Sequence, residues 1–163
     1  MREASGSSRK HLGKEMTVIA TNGCFDLIHT GHVSFLREAR ELGGYLIVGC
    51  NSDRSVRELK GSTRPINNEK DRKAVLEAIR WVDEVRIFDE TDACNFLEST
   101  KPDIYVKGGD YSGSWDKKCP VATRERLTVE KSGGVVKLLS LSEGKSTTML
   151  IDKITGQLNL QYL

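Results

Sequence analysis

Short apolar runs alternate with segments of helical period along most of this chain, and that alternation narrows the available folds more than any other feature. Val18-Ile19-Ala20 reads as a short buried strand, and Val33 to Leu42 carries apolar residues at 33, 35, 36, 39 and 42, the stripe of an amphipathic helix. Tyr45 to Cys50 is a second buried strand, and Asn51, Ser52 and Asp53 offer a cap for a short helix through Val56 and Leu59. Gly61-Ser62-Thr63-Arg64-Pro65 breaks that helix. Val75, Leu76, Ile79 and Trp81 then give Asn68 to Trp81 a helical period, leading to a strand at Glu84 to Phe88. A helix through Ala93, Phe96 and Leu97, stopped near Pro102, precedes a strand at Ile104 to Val106. Val135 to Leu139 is the last strand, and Ser146 caps a closing helix that runs to Ile154. The pattern predicts an α/β fold, a doubly wound parallel five-stranded sheet with helices on both faces and ligands outside the carboxyl ends of the strands.

Those carboxyl ends are where the unusual polar residues collect. The first strand runs into Thr21-Asn22-Gly23-Cys24-Phe25-Asp26-Leu27-Ile28-His29-Thr30-Gly31-His32, which places two histidines three apart at or just before a helix N-terminus. Helix N-termini carry free N–H groups and a positive dipole end, so phosphate chemistry is at home there. Asn51, Ser52 and Asp53 follow the second strand, Lys107-Gly108-Gly109-Asp110-Tyr111 the fourth, and Glu143-Gly144-Lys145-Ser146-Thr147-Thr148 the fifth. Paired glycines allow close backbone approach to a ligand, and Ser146-Thr147-Thr148 would supply hydroxyls and N–H groups to an anion. Lys60, Arg64, Arg72 and Lys107 are the candidate sources of positive charge.

Several classes are excluded. With 25 basic and 23 acidic residues, a net charge of +2, bulk electrostatics do not point to nucleic acid, so any anion site has to be local. No apolar run is long enough for a membrane span. Residues 1–16 are polar and lack the apolar segment of a signal peptide; a disordered arm is expected there, followed by one domain over 17–163. The four cysteines, 24, 50, 94 and 119, form no Cys-x-x-Cys pair and fit reduced thiols in a cytoplasm. Cys24 lies in the key loop without an identifiable base, which favours a packed loop residue over a nucleophile. A zinc site would need a third histidine, and only His11 in the arm remains. Gly144-Lys145-Ser146 resembles the end of a P-loop, but Leu139 stands where that motif needs glycine. Trp81 and Trp115 are expected to pack.

Taken in order, Asn22-Gly23-Cys24-Phe25-Asp26, His29-Thr30-Gly31-His32, Asn51-Ser52-Asp53, Arg64-Pro65-Ile66-Asn67, Val106-Lys107-Gly108-Gly109-Asp110-Tyr111 and Ser146-Thr147-Thr148 resemble the blocks of the His-x-Gly-His nucleotidyltransferases, and within them the D-glycero-D-manno-heptose 1-phosphate adenylyltransferase family. The resemblance spans residues 17 to 155 and implies a Rossmann-like nucleotidyltransferase fold. It implies transfer of AMP from ATP to heptose 1-phosphate with Mg²⁺, for heptose-containing polysaccharide in bacteria. It further implies catalytic roles for His29, His32, Lys60 and Arg72. Nucleotide contacts would fall to Asn22, Gly23, Cys24, Phe25, Asp26, Gly31, Lys107, Gly109, Asp110, Ser146 and Thr147, and Asn51, Asp53 and Arg64 become candidates for the substrate phosphate. Asp26 would orient the loop or contribute to the Mg²⁺ region. Relatives in that family imply a homo-oligomer, a dimer or higher, and a separate sugar kinase as pathway partner. Two alternatives stay open: a glycerol-3-phosphate cytidylyltransferase or other sugar- or polyol-phosphate nucleotidyltransferase, and a non-catalytic nucleotide-binding domain. Ser112 to Thr123 matches no motif of the family.

Overall fold

The computed structural model describes residues 9–11, 14–109, 119–140 and 146–156. Within the stretch expected as a polar arm, β1 (Arg9–His11) and β2 (Lys14–Met16) pair antiparallel as a two-stranded ribbon. The domain proper runs β3 (Val18–Gly23), α1 (Thr30–Glu41), β4 (Tyr45–Asn51), α2 (Asp53–Lys60), α3 (Glu69–Glu77), β5 (Glu84–Phe88), α4 (Cys94–Thr100), β6 (Ile104–Gly108), α5 (Pro120–Lys131), β7 (Val135–Leu139) and α6 (Thr147–Ile154). The five-stranded sheet has the order β5-β4-β3-β6-β7, and every neighbouring pair is parallel. The strand order reverses between β3 and β6, so the crevice at their carboxyl ends is where such a sheet binds ligands.

Alternation along each strand splits the core into two layers. Ile19, Leu46, Val48, Cys50, Val85 and Val106 pack with Phe35, Leu36 and Ala39 of α1 and Leu76 of α3. Val18, Ala20, Ile47 and Tyr105 pack on the other face with Phe96 and Leu97 of α4 and Val129 of α5. Helices thus cover both faces, as the alternating pattern requires. Gly49 is needed for this packing, because a Cβ there would meet the Phe96 ring at about 3.0 Å.

Two elements differ from the sequence reading. The helix expected over 68–81 ends at Glu77. Asp83 anchors the chain that follows: its carboxylate accepts the Leu46 N–H at 2.7 Å and pairs with Arg40 at 2.7 Å, so that Trp81 and Val82 leave the helical register and form the turn that leads into β5. Helix α5 was not foreseen at all. Its buried positions are Ala122, Glu125 and Val129, so a small residue and a carboxylate stand where an apolar stripe would have signalled a helix.

Candidate functional site

The turn from β3 into α1 is held from several sides at once. Phe25 takes a left-handed backbone, φ 46°, a strained conformation for a non-glycine residue that persists only where its surroundings enforce it. Asp26 supplies one anchor. Its carboxylate, 2% exposed, accepts the N–H groups of Ile66 and Asn67 at 2.9 Å and Arg64 Nε at 2.6 Å, while Asn67 Nδ2 donates to its backbone carbonyl at 3.0 Å. Burial pushes the Asp26 carboxyl up, but the N–H donors of Asn67 and Ile66 and the Arg64 guanidinium outweigh it and hold it below the usual range. Arg72 supplies the other anchor. Its buried guanidinium donates to Cys24 O at 2.6 Å, Asn67 O at 2.9 Å and Asp53 Oδ1 at 2.8 Å, with Cys50 Sγ at 3.2 Å.

The two histidines sit at the entrance of α1. His29 is its N-cap, and the His29 backbone N–H donates to His32 Nδ1 at 3.4 Å. The rings lie against each other, tilted by 30°, with centroids 3.9 Å apart. Burial and the neighbouring His29 push His32 down to about 4, so it is neutral near pH 7. Because its Nδ1 accepts, the neutral ring carries its proton on Nε2 and presents a donor there. Ser146 caps α6 by accepting the Met149 N–H at 3.0 Å, and the Thr147 hydroxyl ties that helix to Leu27 O at 3.2 Å. The N-termini of α1 and α6 therefore both border the turn.

Two adjoining cavities open here and share Asn22, Gly23, Cys24, Phe25, His32 and Thr147. The first, about 290 Å³, adds His29, Gly31, Gly108 and Ser146. The second, about 480 Å³, adds Asp26, Asn51, Lys60, Arg64, Lys107 and Glu125. The first lobe is lined by both imidazoles and by helix N-termini, and the second by Lys60, Arg64 and Lys107 together with the carboxylates that pair with two of them, Asp26 and Glu125.

Most of the residues expected from sequence are brought together, but four roles change. Arg72 lines neither lobe; it is 1% exposed with its donors spent on the protein, so it positions the loop and does not grip a phosphate. Asp53 faces Arg72 and lines a separate surface groove with Arg54, Arg57 and Lys70. Asp26 has both oxygens taken by N–H donors, which does not fit a Mg²⁺ ligand and does fit the loop-orienting role. Among the described residues no group of three His, Cys, Asp or Glu side chains could hold a metal ion. Gly109 uses its positive φ of 148° at the end of β6, where its N–H donates to Leu139 O, and borders neither lobe. Asp110 lies outside the described residues. Burial raises the Cys24 thiol, despite opposition from Lys60, Arg72 and Arg64, which keeps it protonated and packed, not nucleophilic. Sequence reasoning missed Glu125, Tyr105 and Thr91. Glu125 had no signal beyond being a charged residue in an unassigned stretch, and Tyr105 was absorbed into the strand pattern.

Residues 20–153 match the cytidylyltransferase-like family. The chain is 52% identical over 136 residues to a bifunctional protein HldE of Koribacter versatilis and 46% identical over 140 residues to a bifunctional protein HldE of Campylobacter fetus. These alignments cover 83% and 86% of this chain but 26% and 28% of the relatives, so the chain spans little more than a quarter of their length. Among solved structures, a lipopolysaccharide core biosynthesis protein from Thermoplasma volcanium superposes with a TM-score of 0.61 at 28% identity, over 80% of this chain and 99% of that one.

Proposed function

Because the chain belongs to the cytidylyltransferase-like family, we propose that it is a nucleotidyltransferase that moves AMP from ATP onto D-glycero-D-manno-heptose 1-phosphate, releasing pyrophosphate and ADP-heptose. A phosphate oxygen of the sugar phosphate attacks the α-phosphorus of ATP, and the bond from that phosphorus to the bridging oxygen of pyrophosphate breaks. The attacking oxygen is already anionic near neutral pH, so no strong base is required. Catalysis then rests on placing two anions in line and stabilising the charge they develop.

The observation that carries the reading is the pair of lobes meeting at His32 and Thr147. ATP phosphates occupy the lobe lined by His29, Gly31, Ser146 and Thr147, where a neutral His32 donates through Nε2 and two helix N-termini face the anion. The sugar phosphate occupies the lobe lined by Lys60, Arg64 and Lys107. Mg²⁺ would enter as the partner of ATP and supply charge neutralisation to its phosphates, and Asp26, with both oxygens taken, does not fit as its ligand. The sugar 1-phosphate is the product of a kinase reaction, the enzyme works in the cytoplasm as a homo-oligomer, and its product feeds heptose-containing polysaccharide.

The test is pyrophosphate release by the full chain with Mg²⁺, crossing ATP and CTP against heptose 1-phosphate and glycerol 3-phosphate. Release confined to ATP with heptose 1-phosphate is the expected result. Release with CTP and glycerol 3-phosphate would overturn the substrate, and no release in any combination would overturn the enzyme.

A further inference from the structure

Glu125 stands on the inner face of α5 with 2% exposure. Its Oε1 accepts the Ala93 N–H at 3.0 Å, and its Oε2 accepts Lys107 Nζ at 2.9 Å and lies 3.0 Å from the Tyr105 hydroxyl. Asn22 Oδ1 closes the group, 3.2 Å from Lys107 Nζ and 2.6 Å from the same hydroxyl. A lysine ammonium has three N–H donors. Among the described residues two are committed, to Asn22 and Glu125, and the third is left on a side chain that borders the larger lobe, is 19% exposed and has its Nζ 5.3 Å from the Tyr105 ring centroid.

A lysine is ordinarily a mobile point charge on a four-carbon stem. Between two fixed acceptors on different elements, the direction of the remaining N–H is set before any ligand arrives, which removes an ordering cost from the bound state. The carboxylate also offsets the Lys107 charge, so the pair offers an aimed donor more than a net positive field; the exposed Lys60 on the same lobe provides the field. An amide at position 125 could not do this, because its NH₂ would face either the Ala93 N–H or the donors of Lys107 and Tyr105.

We propose that Glu125 is a positioning residue: it holds Lys107 so that the third N–H is donated to an anionic oxygen of the second substrate. The identity of that substrate as a sugar phosphate rests on the function proposed above, whereas the action of Glu125 on Lys107 does not.

The test uses the full chain labelled with ¹⁵N-lysine. A fixed, shielded ammonium exchanges slowly enough to give a resolved side-chain resonance, and the Lys107 signal is the one that Lys107→Met removes. The expected result is a Lys107 resonance that shifts on addition of inorganic phosphate in the parent protein and is lost in Glu125→Gln. A resonance unchanged in Glu125→Gln, or one that phosphate leaves unmoved in the parent, overturns the proposal. In the pyrophosphate assay, Glu125→Gln lowers kcat about 10–100-fold, while KM for the sugar phosphate does not rise, since a negative charge has been removed from an anion site. In a Lys107→Met background the same change alters kcat by less than about twofold. Equal factors in both backgrounds would make the residue a fold-stabilising one only and overturn the proposal. Should Glu125→Gln fail to fold, Glu125→Asp keeps the charge but draws it back by one methylene, and the same resonance is expected to weaken or shift. Absence of turnover in the parent would sink the proposed function, and the phosphate titration would still decide the role of Glu125.

Discussion

Replacing Arg72 separates a structural clamp from a substrate contact. Arg72→Met leaves Asn67 O without its donor and Cys24 O with only the weak Cys50 thiol at 3.9 Å, and each stranded, partly buried acceptor costs about 1–3 kcal/mol. Asp53 also loses its partner, but its side chain is 25% exposed and rehydrates, so it adds less than a fully buried ion would. The expected loss is about 3–5 kcal/mol in total. For a domain of this size each kcal/mol moves Tm by about 2–4 °C, so the midpoint should fall by roughly 6–20 °C. Thermal unfolding followed by circular dichroism, with a urea titration at 25 °C, measures it. Kinetics taken well below the new midpoint should show kcat reduced, because the Cys24–Phe25 turn has lost one of its two anchors, with KM for both substrates changed far less. A Tm within about 2 °C of the parent, together with a sharply raised KM for either phosphate-bearing substrate, would refute the clamp and return Arg72 to the substrate-binding set.

Four further outcomes follow from the same geometry. His32, held at about 4 when folded against an ordinary 6.5, binds a proton in the unfolded chain before it does so in the folded one. Stability should therefore fall as pH drops from 6.5 towards 4, and urea midpoints at pH 7 and 4.5 should differ less in His32→Asn than in the parent. Asp26→Asn places an NH₂ against the Ile66 or Asn67 N–H and weakens the Arg64 pair; unfolding should show a loss of about 2–4 kcal/mol, and calorimetry should show unchanged Mg²⁺ dependence of ATP binding. Ser146→Ala removes the α6 cap at a cost of about 1 kcal/mol and should raise KM for ATP more than KM for the sugar phosphate. Reaction of Cys24 with a thiol reagent should stay slow near pH 7 and accelerate only on the alkaline side of an ordinary cysteine, because burial raises its thiol.

The legible part of this molecule was the part governed by local periodicity. Runs such as Tyr45–Cys50 and the stripe through Phe35, Leu36 and Ala39 report their own burial, and the glycine- and histidine-bearing turn marks itself by residue types that an ordinary surface loop does not need. What stayed hidden was pairing across the chain. Arg72, Lys60 and Arg64 look alike as cations on a polar segment, yet one is buried against Cys24 and Asn67 carbonyls, one is exposed on the lobe, and one is pinned by Asp26. No spacing rule separates them, because Arg72 and Arg64 owe their fates to Asp53, Cys24 and Asp26, 19 to 48 positions away, and Lys60 has no such partner among the described residues. Helix α5 was hidden for a related reason. A carboxylate occupies its central buried position, so its buried face has no apolar signature.

The same two facts bear on how such a site works. Two buried charges, Asp26 and Arg72, lock the turn that carries the histidines, and a third, Glu125, fixes a lysine on the opposite wall. None of the three presents its charge to a ligand; each is spent on backbone N–H groups, carbonyls or another side chain. Their desolvation is offset only because each charged nitrogen or oxygen of the three finds at least one partner. In the proposed reaction, groups so held cannot reorganise when charge builds up on the transferring nucleotidyl group, and a donor that is already aimed contributes more to that transition state than a mobile one of equal charge. The site therefore relies on fixed neutral or charge-balanced donors at its centre, His32 and Lys107, with free positive charge kept to the rim at Lys60. Removing the rim charge by Lys60→Met should then lower the association rate of anionic substrate in a salt-dependent way while leaving kcat near the parent value. A loss of kcat at saturating substrate would mean that Lys60 reaches the reacting phosphate, and that the division between aimed donors and a steering field does not hold.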